Sequence, residues 1–307
     1  MNNRTVLVIY HRVDCDGLAS MMIAKDYYTK KGFCVEKLGW NYGDEVPGIK
    51  ELLEKYSSVV MVDLSFPPQY MKELKELGKG RFTWIDHHQT ALLAAESEGY
   101  SDLPGIRQET GKAACELVWS YYNPELPVPR FIRLLGQYDT WRKSECDWEG
   151  EILPLQYSIR EKLGLKASEW EKDWDNLLED EEILDWYIET GKSIYSYQSN
   201  LWKSWVKNYA FPVLVDGKYK GICMLSPMFG SSCYASVLED YEIFIIVNKK
   251  SSGQIAIGMY KEPDSAPDFK CGEYLSQFNP ENGGHACAGG GIIGKEVFKR
   301  LVFDGEI

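Results

Sequence analysis

The chain of 307 residues has only four histidines, and it lacks features that mark several classes of protein. Its eight cysteines are dispersed and form no C-x-x-C pair, which predicts free thiols in a reducing cytoplasm. The first apolar run is short and leads into charged residues, unlike a secretory signal peptide. No stretch approaches the roughly 20 apolar residues of a membrane span. We therefore expect a cytoplasmic protein with no membrane partner.

A basic stripe is also missing, and the formal net charge is −12. Proteins that hold long duplexes through phosphate contacts usually carry clustered lysine and arginine. The composition therefore disfavours long duplex DNA as a partner. It leaves room for a small anionic substrate held by metal ions and a few local donors.

The hydrophobic pattern predicts an α/β fold with two domains. Strand-like runs such as residues 5–11 and 57–65 alternate with helical patterns, which is typical of a largely parallel sheet. From about residue 110 the pattern is mostly helical, and strands joined by glycine-containing turns return after residue 210. We expect an N-terminal domain over residues 1–205 that includes a helical middle segment, and a smaller C-terminal α/β domain over residues 210–307.

The helical middle segment is rich in tryptophan and tyrosine. Their helical spacing predicts burial in a core more strongly than a base-stacking platform. The sequence leaves open whether residues 142–205 form a lid or the contact of a homodimer.

Acidic residues and histidines stand where the predicted strands end. The residues concerned are His11, Asp14, Asp16, Asp63, Asp86, His87 and His88. The carboxyl ends of parallel strands meet at one edge of a sheet, so these side chains can converge. Carboxylates that share a cleft repel each other unless cations neutralise them. Mixed carboxylate and imidazole ligands suit Mn²⁺ or a similar divalent ion, and two such ions about 3.5–4 Å apart can activate water for attack on a phosphoryl group.

Each of these residues has an ordinary structural explanation when it is taken alone. An isolated Asp16-Gly17 pair is most simply a turn or a helix cap, and Asp63 could cap the helix that the prolines near residue 67 predict. The metal interpretation is favoured because the ordinary explanations would have to hold separately at every position.

Five motifs resemble those of a known family. They are HRVDCDG (11–17), VMVDLS (60–65), IDHHQT (85–90), GQYDTW (136–141) and NGGHACAGG (282–290). With the first four the chain resembles the DHH phosphoesterase superfamily, which includes RecJ-type nucleases, oligoribonucleases and dinucleotide phosphodiesterases. The fifth resembles the glycine-histidine motif of the domain that accompanies DHH domains. The resemblance covers both ends of the chain and is weak across residues 142–205.

The resemblance implies two Mn²⁺ ions that share the carboxylate of Asp63. The implied ligands are His11, Asp14 and Asp63 for one ion, and Asp16, Asp63, His87 and Asp139 for the other. His88 would face the substrate phosphate, and Asp86 would orient the cluster by hydrogen bonding. The nucleophile would be metal-activated water, so no side-chain nucleophile is required.

The C-terminal motif predicts contacts with the far end of the substrate. Gly283 and Gly284 allow the backbone to approach an anion, and His285 can donate to a phosphate or carboxylate. Many relatives carry a Ser-x-Arg element before this motif, but the stretch AIGMYKEPDSAP has no arginine. Lys261 is the nearest cation there, and it offers a point charge instead of a bidentate fork. We expect the chemistry to lie in a cleft between the two domains.

The leading hypothesis is a Mn²⁺-dependent phosphodiesterase or exonuclease that cleaves short single-stranded oligonucleotides or dinucleotides. The same chemistry allows a nucleoside bisphosphate phosphatase. A pyrophosphatase or exopolyphosphatase is a third enzyme hypothesis, which the spacing within HRVDCDG favours less. A nucleotide-binding sensor is the non-enzymatic alternative, and the complete set of ligands favours an enzyme over it.

Overall fold

The computed structural model describes residues 4–108, 111–227 and 231–307. The chain divides into two compact units, residues 1–195 and 196–307. Each unit has its own sheet and helices, so the predicted α/β class is confirmed. The division falls inside a long helix, whereas the predicted boundary lies at residues 205–210, where the helical pattern of the sequence ends.

The N-terminal unit is built on a four-stranded parallel sheet with the strand order β2-β1-β3-β4. The chain first adds a strand on one side of β1 and then continues on the other side. Such a reversal of strand order opens a crevice at the carboxyl ends of the two central strands, here β1 and β3. The strands and the helices that follow them are β1 (Thr5–His11), α1 (Cys15–Lys30), β2 (Cys34–Trp40), α2 (Ile49–Lys55), β3 (Ser58–Val62), α3 (Pro68–Gly78), β4 (Phe82–Ile85) and α4 (Gln89–Glu98).

Helices cover both faces of this sheet. Val6 and Val8 of β1 pack into one core with α1, and Leu7 and Ile9 pack into a second core with α2, α3 and α4. Strands buried on both faces read as continuous apolar runs instead of alternating ones. This explains why β1 and β3 stand out so clearly in the sequence.

The middle of the chain is helical, as predicted. Trp170 and Trp174 are buried in the core beside α1, so the prediction that the aromatic stripes form core holds for them, while Trp186 is 53% exposed. The helical elements are α5 (Ala114–Tyr122), α6 (Arg130–Asp139), a 3₁₀ turn (Lys143–Glu145), a π-helical turn (Trp148–Ile152), α7 (Leu153–Lys162), α8 (Ala167–Glu179) and α9 (Glu181–Tyr209).

The C-terminal unit contains a six-stranded mixed sheet with the order β5-β6-β7-β8-β10-β9. Strands β6 and β7 pair in parallel, and the other neighbours are antiparallel. The elements are β5 (Phe211–Val215), β6 (Tyr219–Leu225), a 3₁₀ helix (Ser231–Val237), β7 (Ile243–Lys249), β8 (Ile255–Tyr260), α10 (Cys271–Ser276), β9 (Gly283–Gly284), β10 (Ala288–Ile293), α11 (Lys295–Lys299) and a π-helical turn (Arg300–Asp304).

The cysteines agree with the expectation from composition. All eight carry free thiols, and burial raises the pKa of several of them, including Cys15 and Cys223, to about 12. In the part of the chain that the structure describes, no helix combines the length and the apolar character needed to cross a membrane.

Candidate metal centre

The carboxyl edge of the N-terminal sheet gathers the predicted ligands. Strand β1 ends at His11, and Asp63 and Asp86 directly follow β3 and β4. Asp63 has a φ of 60°, in the left-handed region. Aspartate adopts this region more readily than most residues, and such strain, about 1–3 kcal/mol, persists mainly at functional sites. The turn that ends β3 therefore aims the Asp63 side chain into the crevice at an energetic cost.

The start of α1 is fixed against the end of β1. Asp14 is the N-cap of α1, and its Oδ1 accepts a hydrogen bond from the backbone N–H of Gly17 at 2.8 Å. A Cβ atom at Gly17 would lie 2.0 Å from the carbonyl oxygen of His11. Only glycine permits this approach, which brings the Asp14–Asp16 segment beside His11.

One potential ligand group consists of His11, Asp14 and Asp63. The Nδ1 atom of His11 lies 2.7 Å from Oδ2 of Asp14 and 3.6 Å from Oδ2 of Asp63. The other ring nitrogen, Nε2, lies 3.1 Å from Oδ1 of Asn41. With Nε2 donating to Asn41, Nδ1 is the ring nitrogen that faces the carboxylates. Metal-binding histidines are commonly oriented by such a partner on the second nitrogen.

A second group consists of Asp16, His87 and Asp139. The Nε2 atom of His87 lies 3.6 Å from Asp16 Oδ2, 3.4 Å from Asp63 Oδ1 and 3.4 Å from Asp139 Oδ2. Asp139 is the last residue of α6, so a helix end contributes to a cluster otherwise formed after strands. Asp63 therefore lies between the two groups.

Asp16 is held by the first turn of α5. Its Oδ2 accepts from the backbone N–H of Ala114 at 2.9 Å, and its Oδ1 accepts from that of Cys115 at 2.7 Å. The amino end of a helix offers N–H groups without intrahelical partners and favours negative charge. This contact orients Asp16 and stabilises its ionised form.

Asp86 organises the two histidines that follow it. It is fully buried, and its Oδ1 accepts from the backbone N–H groups of His87 at 2.8 Å and His88 at 3.2 Å. The same oxygen lies 2.7 Å from Nδ1 of His88. Since Oδ1 acts as an acceptor, Nδ1 of His88 carries the proton. A third group of possible ligands combines His88 with Asp63 and His87.

The environment of Asp63 fits a bound cation. Its side chain is buried, and among the residues that the structure describes none donates a hydrogen bond of normal geometry to either carboxylate oxygen. The nearest imidazole nitrogens stand 3.4 to 3.9 Å away. A buried carboxylate without hydrogen bonds costs several kcal/mol unless a charge compensates it. Hard oxygen ligands with imidazole suit a divalent ion such as Mn²⁺ or Mg²⁺.

The pKa values of the histidines show how strongly the centre attracts positive charge. Burial lowers the pKa of His11, but the carboxylates of Asp14 and Asp63 raise it more, to about 11. Burial likewise lowers the pKa of His87, which Asp63 and Asp139 raise to about 11. Imidazolium charge and a bound cation are thus alternative ways to compensate the carboxylates, and the imidazoles must lose their protons to bind metal.

The carboxylates respond to the same crowding. Burial, followed by the charges of Asp63 and Asp139, raises the pKa of Asp16. Burial also raises the pKa of Asp139, to about 6, against the attraction of His87. Burial would raise the pKa of Asp63 too, but His11 and His87 lower it overall. Several carboxylates share one buried space and repel each other, and a divalent cation relieves this repulsion.

Two residues at the centre were not predicted from the sequence. Asn41 follows the last residue of β2 and contacts His11. The ring of Tyr42 lies 5.8 Å from that of His11 and 6.4 Å from that of His88, measured between centroids. The rule that pointed to Asp63 and Asp86, namely polar residues directly after a strand, also applies to Asn41.

The C-terminal motif is a hairpin at the edge of the second sheet. Gly283 and Gly284 form β9, which pairs with β10, and His285 is exposed at the turn that follows. Gly284 has a φ of 138°, and a Cβ atom there would lie 2.4 Å from the carbonyl oxygen of Ala288. Close backbone packing within the hairpin therefore explains Gly284, whereas a Cβ atom at Gly283 would meet open space.

Lys261 has a different environment from the one expected of a substrate contact. Its side chain is buried, at 4% exposure, and its ammonium group donates to the carbonyl oxygens of Ser265 at 2.7 Å, Pro263 at 3.2 Å and Glu262 at 3.4 Å. An ammonium has three N–H donors, and these three carbonyls engage all of them. The arrangement gives Lys261 a structural role in the loop after β8 and argues against the predicted contact with substrate.

Several solved structures have a fold similar to that of the chain. A DHH domain from a member of the s1p family of ribosomal proteins aligns over 98% of this chain and 86% of its own, with a TM-score of 0.64 and 16% identity. A pGpG-specific phosphodiesterase from Vibrio cholerae aligns over 97% of this chain and 95% of its own, with a TM-score of 0.52 and 13% identity. RecJ from Thermus thermophilus in complex with Mn²⁺ aligns over 97% of this chain and 50% of its own, with a TM-score of 0.50 and 16% identity.

The fold of the chain is therefore that of DHH-domain proteins, and the resemblance predicted from the motifs is confirmed for the fold. No family model matches the sequence. An uncharacterised protein of Acanthamoeba polyphaga mimivirus, R106, is 24% identical over 216 residues, which is 67% of this chain and 48% of the viral protein. The chain spans about half the length of this curated relative.

Proposed function

We propose that the chain is a metal-dependent phosphoric ester hydrolase that cleaves short single-stranded oligonucleotides or dinucleotides. The observation that carries this proposal is the position of Asp63, which is buried between two ligand groups. Within the described part of the chain, neither of its carboxylate oxygens accepts a hydrogen bond. His11 and Asp14 complete one group, and Asp16, His87 and Asp139 complete the other. We propose that two divalent cations, preferably Mn²⁺, bind at these groups. They would activate water and neutralise the charge of the phosphoryl group.

The residues of the chain itself then position the phosphate. Asp86 accepts from Nδ1–H of His88, and in the imidazolium form of that ring Nε2–H would donate to a phosphate oxygen. The side chain of His88 is 20% exposed, so an anion can reach it from the solvent side of the centre. Because Asp86 also binds two backbone N–H groups, the imidazole is fixed before the substrate arrives. We assign His88 to phosphate binding and Asp86 to the orientation of His88.

The activities of proteins with the same fold support phosphodiester substrates. A pGpG-specific phosphodiesterase and RecJ from Thermus thermophilus share the fold, and the latter was solved with Mn²⁺. The net charge of −12 also favours a short substrate over a long strand, because a long polyanion needs many basic contacts. In the C-terminal unit, the exposed His285 and the backbone of Gly283 are the groups that we propose for substrate binding.

Hydrolysis of a substrate panel tests the proposal. The panel contains di- to pentanucleotides, a cyclic dinucleotide, a nucleoside bisphosphate and pyrophosphate, each with Mn²⁺, with Mg²⁺ and with chelator. The variant His87→Ala should lose activity, and Asp102→Asn is the matched control because the side chain of Asp102 is 71% exposed and lies outside the cluster. We expect mononucleotides from the short oligomers.

The alternative outcomes are distinct. Turnover of the bisphosphate or of pyrophosphate alone would assign the protein to a phosphatase class. Nucleotide binding with no turnover of any substrate would contradict an enzyme and favour a sensor. Equal activity in the wild type and in His87→Ala would show that the hydrolysis comes from a contaminant or another site.

A further inference from the structure

The loop after β2 is a rigid turn that carries Tyr42 to the metal centre. The backbone N–H of Asn41 donates to Oδ2 of Asp44 at 2.8 Å, and the N–H of Asp44 donates to the carbonyl oxygen of Asn41 at 2.9 Å. Asp44 also forms an ion pair with Arg12, and Gly43 has a φ of 95°. Side-chain and backbone hydrogen bonds of this kind fix a turn in one conformation. Tyr42 is thus held in place before any ligand binds.

Three aromatic rings surround the ring of Tyr42. Its centroid lies 5.5 Å from that of Trp40, 5.8 Å from that of His11 and 6.4 Å from that of His88, with planes inclined by 69–72°. These are edge-to-face contacts, which fix the orientation of the Tyr42 ring. Even so, Tyr42 is 51% exposed, whereas Trp40 beside it is buried. A large aromatic surface therefore faces solvent directly beside two residues of the centre.

The hydroxyl group of Tyr42 points away from that open surface. Its oxygen accepts from the backbone N–H of Ser65 at 3.4 Å, close to the end of β3. The hydroxyl end is anchored inside the fold, and the exposed part of the residue is ring surface. An exposed ring surface recognises flat groups by stacking and not by hydrogen bonding.

We propose that the exposed face of Tyr42 is a stacking platform for the nucleobase attached to the scissile phosphate. This inference rests on the proposed function, and it names the part of the substrate that Tyr42 recognises. The Tyr42 ring lies beside His11, which we assign to metal binding, and His88, which we assign to phosphate binding. A phosphate at the centre would thus place its base over Tyr42. Stacking accepts every base, so the platform favours nucleotides over inorganic phosphates without selecting a sequence.

The test compares a dinucleotide with two abasic analogues. Each analogue lacks the base at one of the two positions and keeps the sugar there. Base stacking on an aromatic residue contributes about 5- to 150-fold by alanine substitution. We expect Tyr42→Ala to lower kcat/KM for the dinucleotide within that range, mainly through KM. For one of the two abasic analogues the wild type and Tyr42→Ala should agree within about twofold. Tyr42→Phe should behave as the wild type does, because it keeps the ring.

Tyr121→Ala is the matched control, since Tyr121 is an exposed tyrosine near the far end of α5 and should leave all rates unchanged. Equal losses in Tyr42→Ala for the dinucleotide and for both abasic analogues would overturn the proposal, because Tyr42 would then act by supporting His11 and His88. A large loss in Tyr42→Phe would also overturn it and assign the effect to the hydroxyl group.

Equilibrium binding separates this proposal from the proposed function. If the wild type hydrolyses no phosphoester, binding of the dinucleotide and its abasic analogues to the Mn²⁺-treated protein is measured instead. A preference for the base that Tyr42→Ala abolishes would support the platform although the enzyme assignment had failed. The same affinity for all three compounds in the wild type would overturn the platform.

Discussion

Replacement of Asp63 by asparagine is the sharpest test of the centre. Asparagine has nearly the same shape as aspartate and also adopts positive φ readily, so the backbone at φ 60° remains accessible. The substitution removes the carboxylate that lies between His11–Asp14 on one side and His87–Asp139 on the other. Fold and packing should survive, while the affinity for divalent cations should fall.

The expected effect on thermal stability follows from mass action. At a Mn²⁺ concentration about 100 times the Kd, binding stabilises the wild type by about 2.7 kcal/mol. For a folding unit of 150–250 residues this raises Tm by about 5–11 °C. Removal of a partner behind a ligand already costs about 10–100-fold in metal affinity, so loss of a shared ligand should cost at least about 100-fold. At the same Mn²⁺ concentration the variant would gain about 0.4 kcal/mol, or about 1 °C.

Thermal unfolding of chelator-treated protein, with and without added Mn²⁺, measures both shifts. Asp102→Asn is the control for loss of an exposed carboxylate and should keep the full shift. Circular dichroism would verify that Asp63→Asn is folded before metal is added. A shift of more than about 5 °C in Asp63→Asn would refute the assignment of Asp63 as the shared ligand.

Three further substitutions probe the supports of the centre and the one predicted contact that the structure disfavours. Gly17→Ala places a Cβ atom 2.0 Å from the carbonyl oxygen of His11. Urea unfolding should therefore show a free energy of unfolding lower by about 1–3 kcal/mol. An unchanged free energy of unfolding would contradict the close approach. Asp86→Asn weakens the orientation of His88 and should lower kcat about 10–100-fold. The amount of bound Mn²⁺, measured by atomic absorption, should stay the same. A loss of bound metal would instead show that Asp86 supports the metal ligands. Lys261→Met leaves buried carbonyl oxygens without their donor and should lower the free energy of unfolding by about 1–3 kcal/mol, with KM unchanged. A raised KM in the folded variant would show that Lys261 contacts the substrate.

The sequence identified most of the centre because its residues follow strands of a parallel sheet. The carboxyl ends of such strands meet at one edge, so strand prediction alone is enough to predict that His11, Asp63 and Asp86 lie close together. Asp139 is different, because it ends a helix whose position depends on packing against α1 and α5. Only the resemblance to DHH motifs indicated it.

Other features depend on contacts that no local pattern encodes. Asp16 is held by the N–H groups of Ala114 and Cys115, nearly 100 positions later in the chain. The three carbonyls around Lys261 come from the conformation of its own loop, and the sequence there showed only a cation near a glycine motif.

The sequence by itself determined the residue types of the candidate centre, the parallel sheet and the strand ends that carry most of the candidate ligands. Hydrophobic periodicity and the chemistry of carboxylates and imidazoles are properties of the chain before it folds. Tertiary structure alone decided which atoms face each other: the exposed ring of Tyr42, the orientation of His11 by Asn41 and the burial of Lys261. These depend on directions in space, since a side chain's neighbours are fixed only when distant segments pack together.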